Sequence, residues 1–138
     1  MIHSFSPIPV SVSPEQILGH LYPPGPARTG RHARAAEFAT EATNRAGELI
    51  QPQGVYRKLP AEDLAPWPPT SRGDFVFLAL ATLGHDLDRA CEDLRREGRD
   101  TQALFLDAAG AVAVDSACDF LEEAIAKECQ RHDISKTQ

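Results

Sequence analysis

From Ala103 to Val114 the only charged residue is Asp107. A helix with this composition is apolar almost all round, so other elements must cover most of its circumference. The stretch therefore predicts a long central helix, from about Asp100 to Cys129, with its first half enclosed by protein. Small residues from 108 to 111 would let another backbone or a ligand approach that half closely.

A continuous apolar run, Phe75–Leu80, indicates a strand buried on both faces. We expect the first half of the long helix to pack against the sheet that contains this strand. If that burial is complete, Leu104→Ala should destabilise the fold by about 2–5 kcal/mol.

Capping and turn residues delimit the other elements. Ser13 and Pro14 predict the start of a short helix, and Asp86 is expected to cap a helix that ends at Gly98. The remaining predictions are an edge strand within 8–12, a second helix from after Thr29 to about Ile50, a strand over 54–59 and a loop over 60–73 held down by Trp67. Together they predict a single α+β domain over 1–129, a mixed or antiparallel sheet packed against the long helix, and a flexible tail over 130–138.

Composition excludes several classes of protein. The 138 residues are 42% hydrophobic and 25% charged, which is typical of a globular domain. A net charge of −6 argues against nucleic acid as a partner, and no apolar run is long enough to span a membrane. We see no signal peptide at the start, and three cysteines without a CxxC motif indicate reduced, mostly buried thiols. We therefore expect a cytoplasmic protein.

Motifs for catalysis are absent from the sequence. There is no GxGxxG or P-loop pattern, no Asp-x-His-x-x-Gly cobalamin motif, no zinc-ligand spacing and no nucleophile elbow. His85 precedes Asp86 at a predicted helix start, where adjacent residues rarely orient each other for catalysis. We expect no metal, and a binding role rather than an enzyme acting by itself.

The run GDFVFLALATLGHDLDRACEDLRREGRDTQALFLDAAGAVAVDSACDFLEEAIAKE resembles the activation domain of cobalamin-dependent methionine synthase, especially its free-standing bacterial relatives. The matching features are the apolar strand ending in ATLG, the helix opening with Asp86 and Leu87, and the helix that begins LDAAG and has acids near its end. RAGELIQPQGVYRKL and AEDLAPW resemble segments that come earlier in that family. The resemblance covers about the last three-quarters of the chain.

This resemblance implies a role in methionine biosynthesis. In the family, the domain binds S-adenosylmethionine (AdoMet) and docks on the cobalamin-carrying domain, where AdoMet remethylates oxidised cobalamin after its reduction. The family's grip on AdoMet relies on an Arg-containing loop and a P-G-Y turn after the long helix, and this sequence has neither before Gln138. We therefore expect weak or absent AdoMet binding, and cobalamin only through a partner.

Four residues form the predicted ligand site. By register, Asp115 matches the family's carboxylate that faces AdoMet, and Thr82, Gly84 and His85 belong to the turn after the apolar strand. The alternative for Asp115 is a solvated acidic stripe that continues through Asp119 and Glu122.

The missing segment should leave the apolar flanks at Phe75–Leu83 and Ala108–Val112 partly bare. We therefore expect a homodimer, or a complex with a corrinoid or methyltransferase protein. The alternative function is a subunit of an enzyme, or a small-ligand sensor, that reuses the fold.

Overall fold

A computed structural model describes residues 1–22, 32–64 and 75–136. Within these ranges the strands are β1 (Ile2–Phe5), β2 (Gln53–Pro60) and β3 (Phe75–Thr82). The helices are α1 (Pro14–Leu21), α2 (His32–Leu49), α3 (Asp86–Arg96) and α4 (Asp100–Lys136), and a short 3-10 helix spans Ala61–Leu64. The predicted α+β class is confirmed.

The three strands form an antiparallel sheet in the order β1-β2-β3. Ser4 lies opposite Val55, and Val55 lies opposite Leu80. Because directly paired residues share a face, the register divides the strands into an inner and an outer set of side chains. Tyr56 and Phe77, on the inner face, belong to the cluster that includes Ala117 and Leu121 of α4.

The prediction that Phe75–Leu80 is buried on both faces is wrong. Leu78 and Leu80 point to the outer face, where their exposed fractions are 58% and 69%. Among the described residues, helices cover the sheet on its inner face only. In this protein, the continuous apolar run therefore forms a strand with one face packed against α4 and one apolar face that the described residues leave uncovered.

The first half of α4 packs against helices rather than against the sheet. Ala103, Leu106 and Ala109 are buried in a cluster with the inward residues of α1, α2 and α3. The enclosure predicted from the missing charges is confirmed, but Leu104 points outward and is 53% exposed. The sequence pattern showed that the helix is covered without showing which element covers it.

Turn and cap signals are confirmed at most helix ends. The Ser13 hydroxyl accepts a hydrogen bond from the Gln16 backbone N–H at 3.2 Å, with Pro14 in the first turn. Gly98 has a φ of +78°, as expected after α3. Asp86, however, is the first residue of α3, and His85 occupies the cap position without a side-chain hydrogen bond.

Several boundaries differ from the predictions. The N-terminal strand is Ile2–Phe5 rather than part of 8–12, and α4 continues past Cys129 to Lys136. Cys91 is buried, but Cys118 and Cys129 are exposed, so the expectation of mostly buried thiols is wrong. The start of the second helix before His32 and the position of Trp67 lie outside the described residues.

Substitutions of two leucines in α4 test which face of this helix is packed in the core. Leu106 is 1% exposed, so Leu106→Ala should lower the free energy of unfolding by about 2–5 kcal/mol through lost contacts and a cavity. The matched control, Leu104→Ala, should change it by less than about 0.5 kcal/mol because that side chain is largely exposed. Urea denaturation followed by circular dichroism measures both, and equal losses would contradict the orientation of α4.

Candidate functional site

A groove of about 410 Å³ lies where β3 turns into α3 and both pass α4. Two of the four predicted site residues, Thr82 and Gly84, line it. The other lining residues are Ala81, Leu83, Leu87, Asp88, Asp107, Gly110, Ala111 and Val114. The groove thus combines apolar walls with two carboxylates from facing helices.

The turn that forms one wall of this groove depends on Gly84. Its φ of +84° lies in the left-handed region, which residues with a Cβ atom rarely adopt. The Gly84 backbone N–H donates a hydrogen bond to the Thr82 hydroxyl at 3.2 Å. The Gln51 backbone N–H donates to the Leu83 carbonyl at 2.8 Å and ties the turn to the segment before β2.

Small residues on α4 form the opposite wall. A Cβ on Gly110 would lie 3.0 Å from Leu87 Cδ2, so the glycine allows the close approach of α3 and α4. This agrees with the expectation that the residues 108–111 admit another backbone. Among the described residues, the charged side chains that line the groove are Asp88 and Asp107, so the groove favours a neutral or cationic ligand group over an anionic one.

The other two predicted site residues lie elsewhere. His85 is exposed at the cap of α3 and does not line the groove. Asp115 is exposed and lies away from the groove, at an open surface depression that is lined also by Ser11, Gln16, His20, Val112, Ser116 and Asp119. The Ser11 backbone N–H donates to the Ser116 hydroxyl at 2.9 Å beside it. The structure brings Thr82 and Gly84 together but not His85 and Asp115.

A second cavity, of about 380 Å³, involves residues that the sequence reasoning missed. It lies between β1, β2 and the rear part of α4, where the His3 and Tyr56 rings stack with centroids 4.6 Å apart. His3 Nε2 is 3.7 Å from Glu128 Oε1. The Phe5 and Phe120 rings meet edge to face at 5.2 Å, and the cavity lining is completed by Glu123, Ala124, Lys127 and Arg131.

Burial sets the electrostatics of this second cavity. Burial raises the pKa of Tyr56, and the negative charge of Glu128 and a side-chain hydrogen bond to its carboxylate raise that pKa further, so the phenol stays protonated at neutral pH. Glu128 Oε2 is buried and has no hydrogen-bond partner among the described residues. Leaving such an acceptor unpaired costs about 1–3 kcal/mol, and more when it is charged.

A sequence signal for this cavity did exist. Leu121, Ala124 and Glu128 follow one another at the four- and three-residue spacing of one helix face, so the carboxylate continues an apolar stripe. His3 and Tyr56 are far from it in the sequence. The pairing of His3 with Tyr56 across β1 and β2, together with the packing of α4 against the sheet, brings the three side chains together.

Neither cavity forms a metal centre. Within 1–22, 32–64 and 75–136, no three His, Cys, Asp or Glu side chains are grouped so that they could hold a metal ion. Burial raises the pKa of the Cys91 thiol, and its sulfur lies 3.9 Å from the Ala103 carbonyl oxygen within the helical core. None of the helices in the described part of the chain is long and apolar enough to cross a membrane.

Comparisons with known proteins do not assign this chain to a family. No protein-family model matches the sequence, and no curated protein matches it either. The functional reading therefore depends on the resemblance in sequence and on the geometry of the two cavities and the sheet.

Two glycines test the turn at the groove. Gly84→Ala should destabilise the protein by about 1–2 kcal/mol because alanine is strained at a positive φ. Gly47→Ala is the matched control: Gly47 lies in the last turn of α2, and a Cβ there meets nothing within 4 Å. It should stabilise the protein by about 0.5–1 kcal/mol. Thermal melting of both variants measures the difference, and equal shifts would contradict the assigned turn.

Proposed function

We propose that this chain is an accessory binding module of cobalamin-dependent methyl transfer, working in the cytoplasm and contributing no catalysis of its own. The association with cobalamin-dependent methyl transfer is supported by the resemblance of residues 73–128 to methionine synthase activation domains. Support for a docking role comes from one observation, the uncovered apolar outer face of the sheet.

The outer face is formed by side chains from all three strands. Its apolar members are Ile2 of β1, Val55 and Leu59 of β2, and Val76, Leu78 and Leu80 of β3. Ile2 is 60% exposed, and Leu78 and Leu80 are more than half exposed as well. Arg57 lies on the same face, between Ile2 and Leu78. Exposed apolar surface of this kind marks a site of association in many proteins.

The position of β3 at the edge of the sheet is a second observation that favours docking. Its second hydrogen-bonding edge has no strand partner among the described residues, so it could accept a strand from another chain. The flank expected to be bare at Phe75–Leu83 is bare in part. In the flank Ala108–Val112, the first three residues are buried against helices, whereas Ala111 and Val112 are half-buried, so this flank is bare only at its end.

We propose that the outer face docks either on a corrinoid-carrying or methyltransferase protein or on a second copy of the chain. In the first case the module would meet cobalamin only through its partner. In the second, the two β3 edges or the two outer faces would complete the sheet.

Substitutions on the outer face test the docking role. At micromolar concentration, light scattering should give a dimeric mass, or the mass of the complex when a cobalamin-binding protein is added. Leu78→Glu and Leu80→Glu should weaken either assembly by at least about tenfold, because a carboxylate would be desolvated in the interface. Leu104→Glu, at an exposed leucine of α4, is the matched control and should leave assembly unchanged.

A strictly monomeric mass under all these conditions, without binding of a hydrophobic dye, would contradict the proposal. It would mean that the outer face stays in water without a partner.

The proposed module binds AdoMet weakly or not at all. Within these 138 residues, the Arg-containing loop and the P-G-Y turn that hold AdoMet in that family are absent, and no described residue lining the groove at Thr82 and Gly84 is basic, so the carboxylate of AdoMet finds no counter-charge there. Calorimetry with AdoMet should detect no binding at about 100 µM ligand. A dissociation constant in the low micromolar range, or about −8 kcal/mol, would show instead that the chain holds AdoMet by other residues.

A small-ligand sensor, or a subunit of an enzyme, is the second candidate. The observation that favours it is the cavity between His3, Tyr56 and Glu128, which combines aromatic walls with a carboxylate whose side chain is 21% exposed.

A further inference from the structure

The free edge of β3 has none of the sequence features that usually keep an exposed strand from pairing. Phe75–Thr82 contains no charged residue, no proline and no glycine, and its far side has no strand partner among the described residues. Natural sheets protect such edges with charges, prolines or bulges, because unpaired backbone groups readily accept another strand. An edge of this length without protection favours a strand as its occupant.

One end of this edge presents an aromatic ring and a cation. Phe75 shares the inner face of the sheet with Phe77 and is 49% exposed. The Lys58 ammonium nitrogen lies 4.1 Å from the centre of the Phe75 ring. None of the ion pairs in the described part of the chain involves Lys58. The cation is therefore held on an apolar group, with no carboxylate from the described residues beside it.

The other end of the edge presents the opposite chemistry. There lies the groove at Thr82 and Gly84, which has apolar walls that include Ala81 and two carboxylates, those of Asp88 and Asp107. None of its described lining residues belongs to β1 or β2, so the groove opens beside the free edge of β3. An apolar group that carries a cation suits such a space.

Antiparallel pairing of β3 with a second copy of itself brings these unlike ends together. If the two-fold axis passes beside Leu78, Phe75 of one copy lies opposite Ala81 of the other, and Leu80 lies opposite Val76. The Phe75 ring and the Lys58 ammonium group then face the groove of the second copy and its two carboxylates. Because the contact is symmetric, the same complementarity occurs twice.

Stacking of two outer faces is the competing arrangement, and charge argues against it. The outer face contains Arg57 and no carboxylate among the described residues. Packed sheets lie about 10 Å apart, so stacking would enclose both Arg57 side chains in one apolar layer without a counter-charge. Edge pairing leaves the two Arg57 residues about three strand spacings apart, or ~14 Å, and in contact with water. Salt largely screens charges at that distance.

We propose that two copies of this chain pair antiparallel through their β3 edges, with Leu78 at the two-fold axis. Two three-stranded sheets then become one continuous sheet, and Phe75 and Lys58 of each copy close the groove of the other. The inference rests on the proposed docking role and commits the β3 edge to a second copy of the chain.

Cross-linking tests the pairing and its register. In a background with Cys118→Ser and Cys129→Ser, Leu78→Cys should give a covalent dimer on mild oxidation, because opposite Cα atoms about 5 Å apart suit a disulfide. Leu80→Cys is the matched control. Its two copies would be four residues apart along the strands, or ~13 Å, so it should stay uncross-linked on a non-reducing gel.

Charge exchange tests the contact at the groove. Lys58→Glu should raise the dissociation constant of the dimer by about tenfold or more, because it sets a third carboxylate against two. Adding Asp88→Lys and Asp107→Lys to that variant should restore most of the lost affinity. Lys127→Glu, at an exposed lysine of α4, is the matched control and should leave the affinity unchanged. Sedimentation equilibrium measures all of these, and circular dichroism confirms that each variant is folded.

The possible failures are distinguishable. A dimer that Leu78→Cys does not cross-link, or that folded Lys58→Glu leaves as tight as before, overturns this pairing and leaves the docking role intact. So does a monomer that binds a cobalamin-binding protein through the outer face. A chain that stays monomeric and forms no complex contradicts both proposals.

Discussion

Helix α4 is shared by the two hydrophobic clusters of this protein. Its first half contributes Leu106 to the cluster with α1, α2 and α3, and its rear half contributes Leu121 to the cluster with the sheet. Close packing at the second contact requires Gly54 on β2, since a Cβ there would lie 2.5 Å from Ile8 Cδ1 and 3.1 Å from Leu121 Cδ1. The position of α4 therefore fixes how the helices sit relative to the strands.

The same arrangement leaves the sheet one-sided. A single helix, α4, can cover only one face of a three-stranded sheet. The other described helices lie on the same inner side of the sheet or beyond the end of the sheet. The outer face is nevertheless apolar at Val55, Leu78 and Leu80, which is unusual for a sheet face in contact with water. The docking role that we propose is based on this conflict between composition and coverage.

Both candidate ligand sites lie along α4, at its two contacts with other elements. Beside Gly110 the small residues bring α3 close and leave a groove under the turn at Gly84. Toward the end of the inward stripe, the apolar pattern gives way to Glu128, and a cavity opens toward His3 and Tyr56. The two sites differ in chemistry because the first has carboxylates at an exposed rim, whereas the second has one carboxylate on its inner wall.

The sequence by itself determined the local elements: the Ser13 cap, the turn at Gly84, the strand after 53 and the enclosed first half of α4. These elements depend on short-range hydrogen bonds, backbone conformation and the periodicity of nearby residues. All three are set by residues that lie close together in the sequence. It could not determine which face of β3 is covered, because an apolar run is the same whether a neighbour packs on one side or on both. Nor could it bring His3 and Tyr56 to Glu128, since that depends on strand register and on the path of α4, which only long-range packing decides.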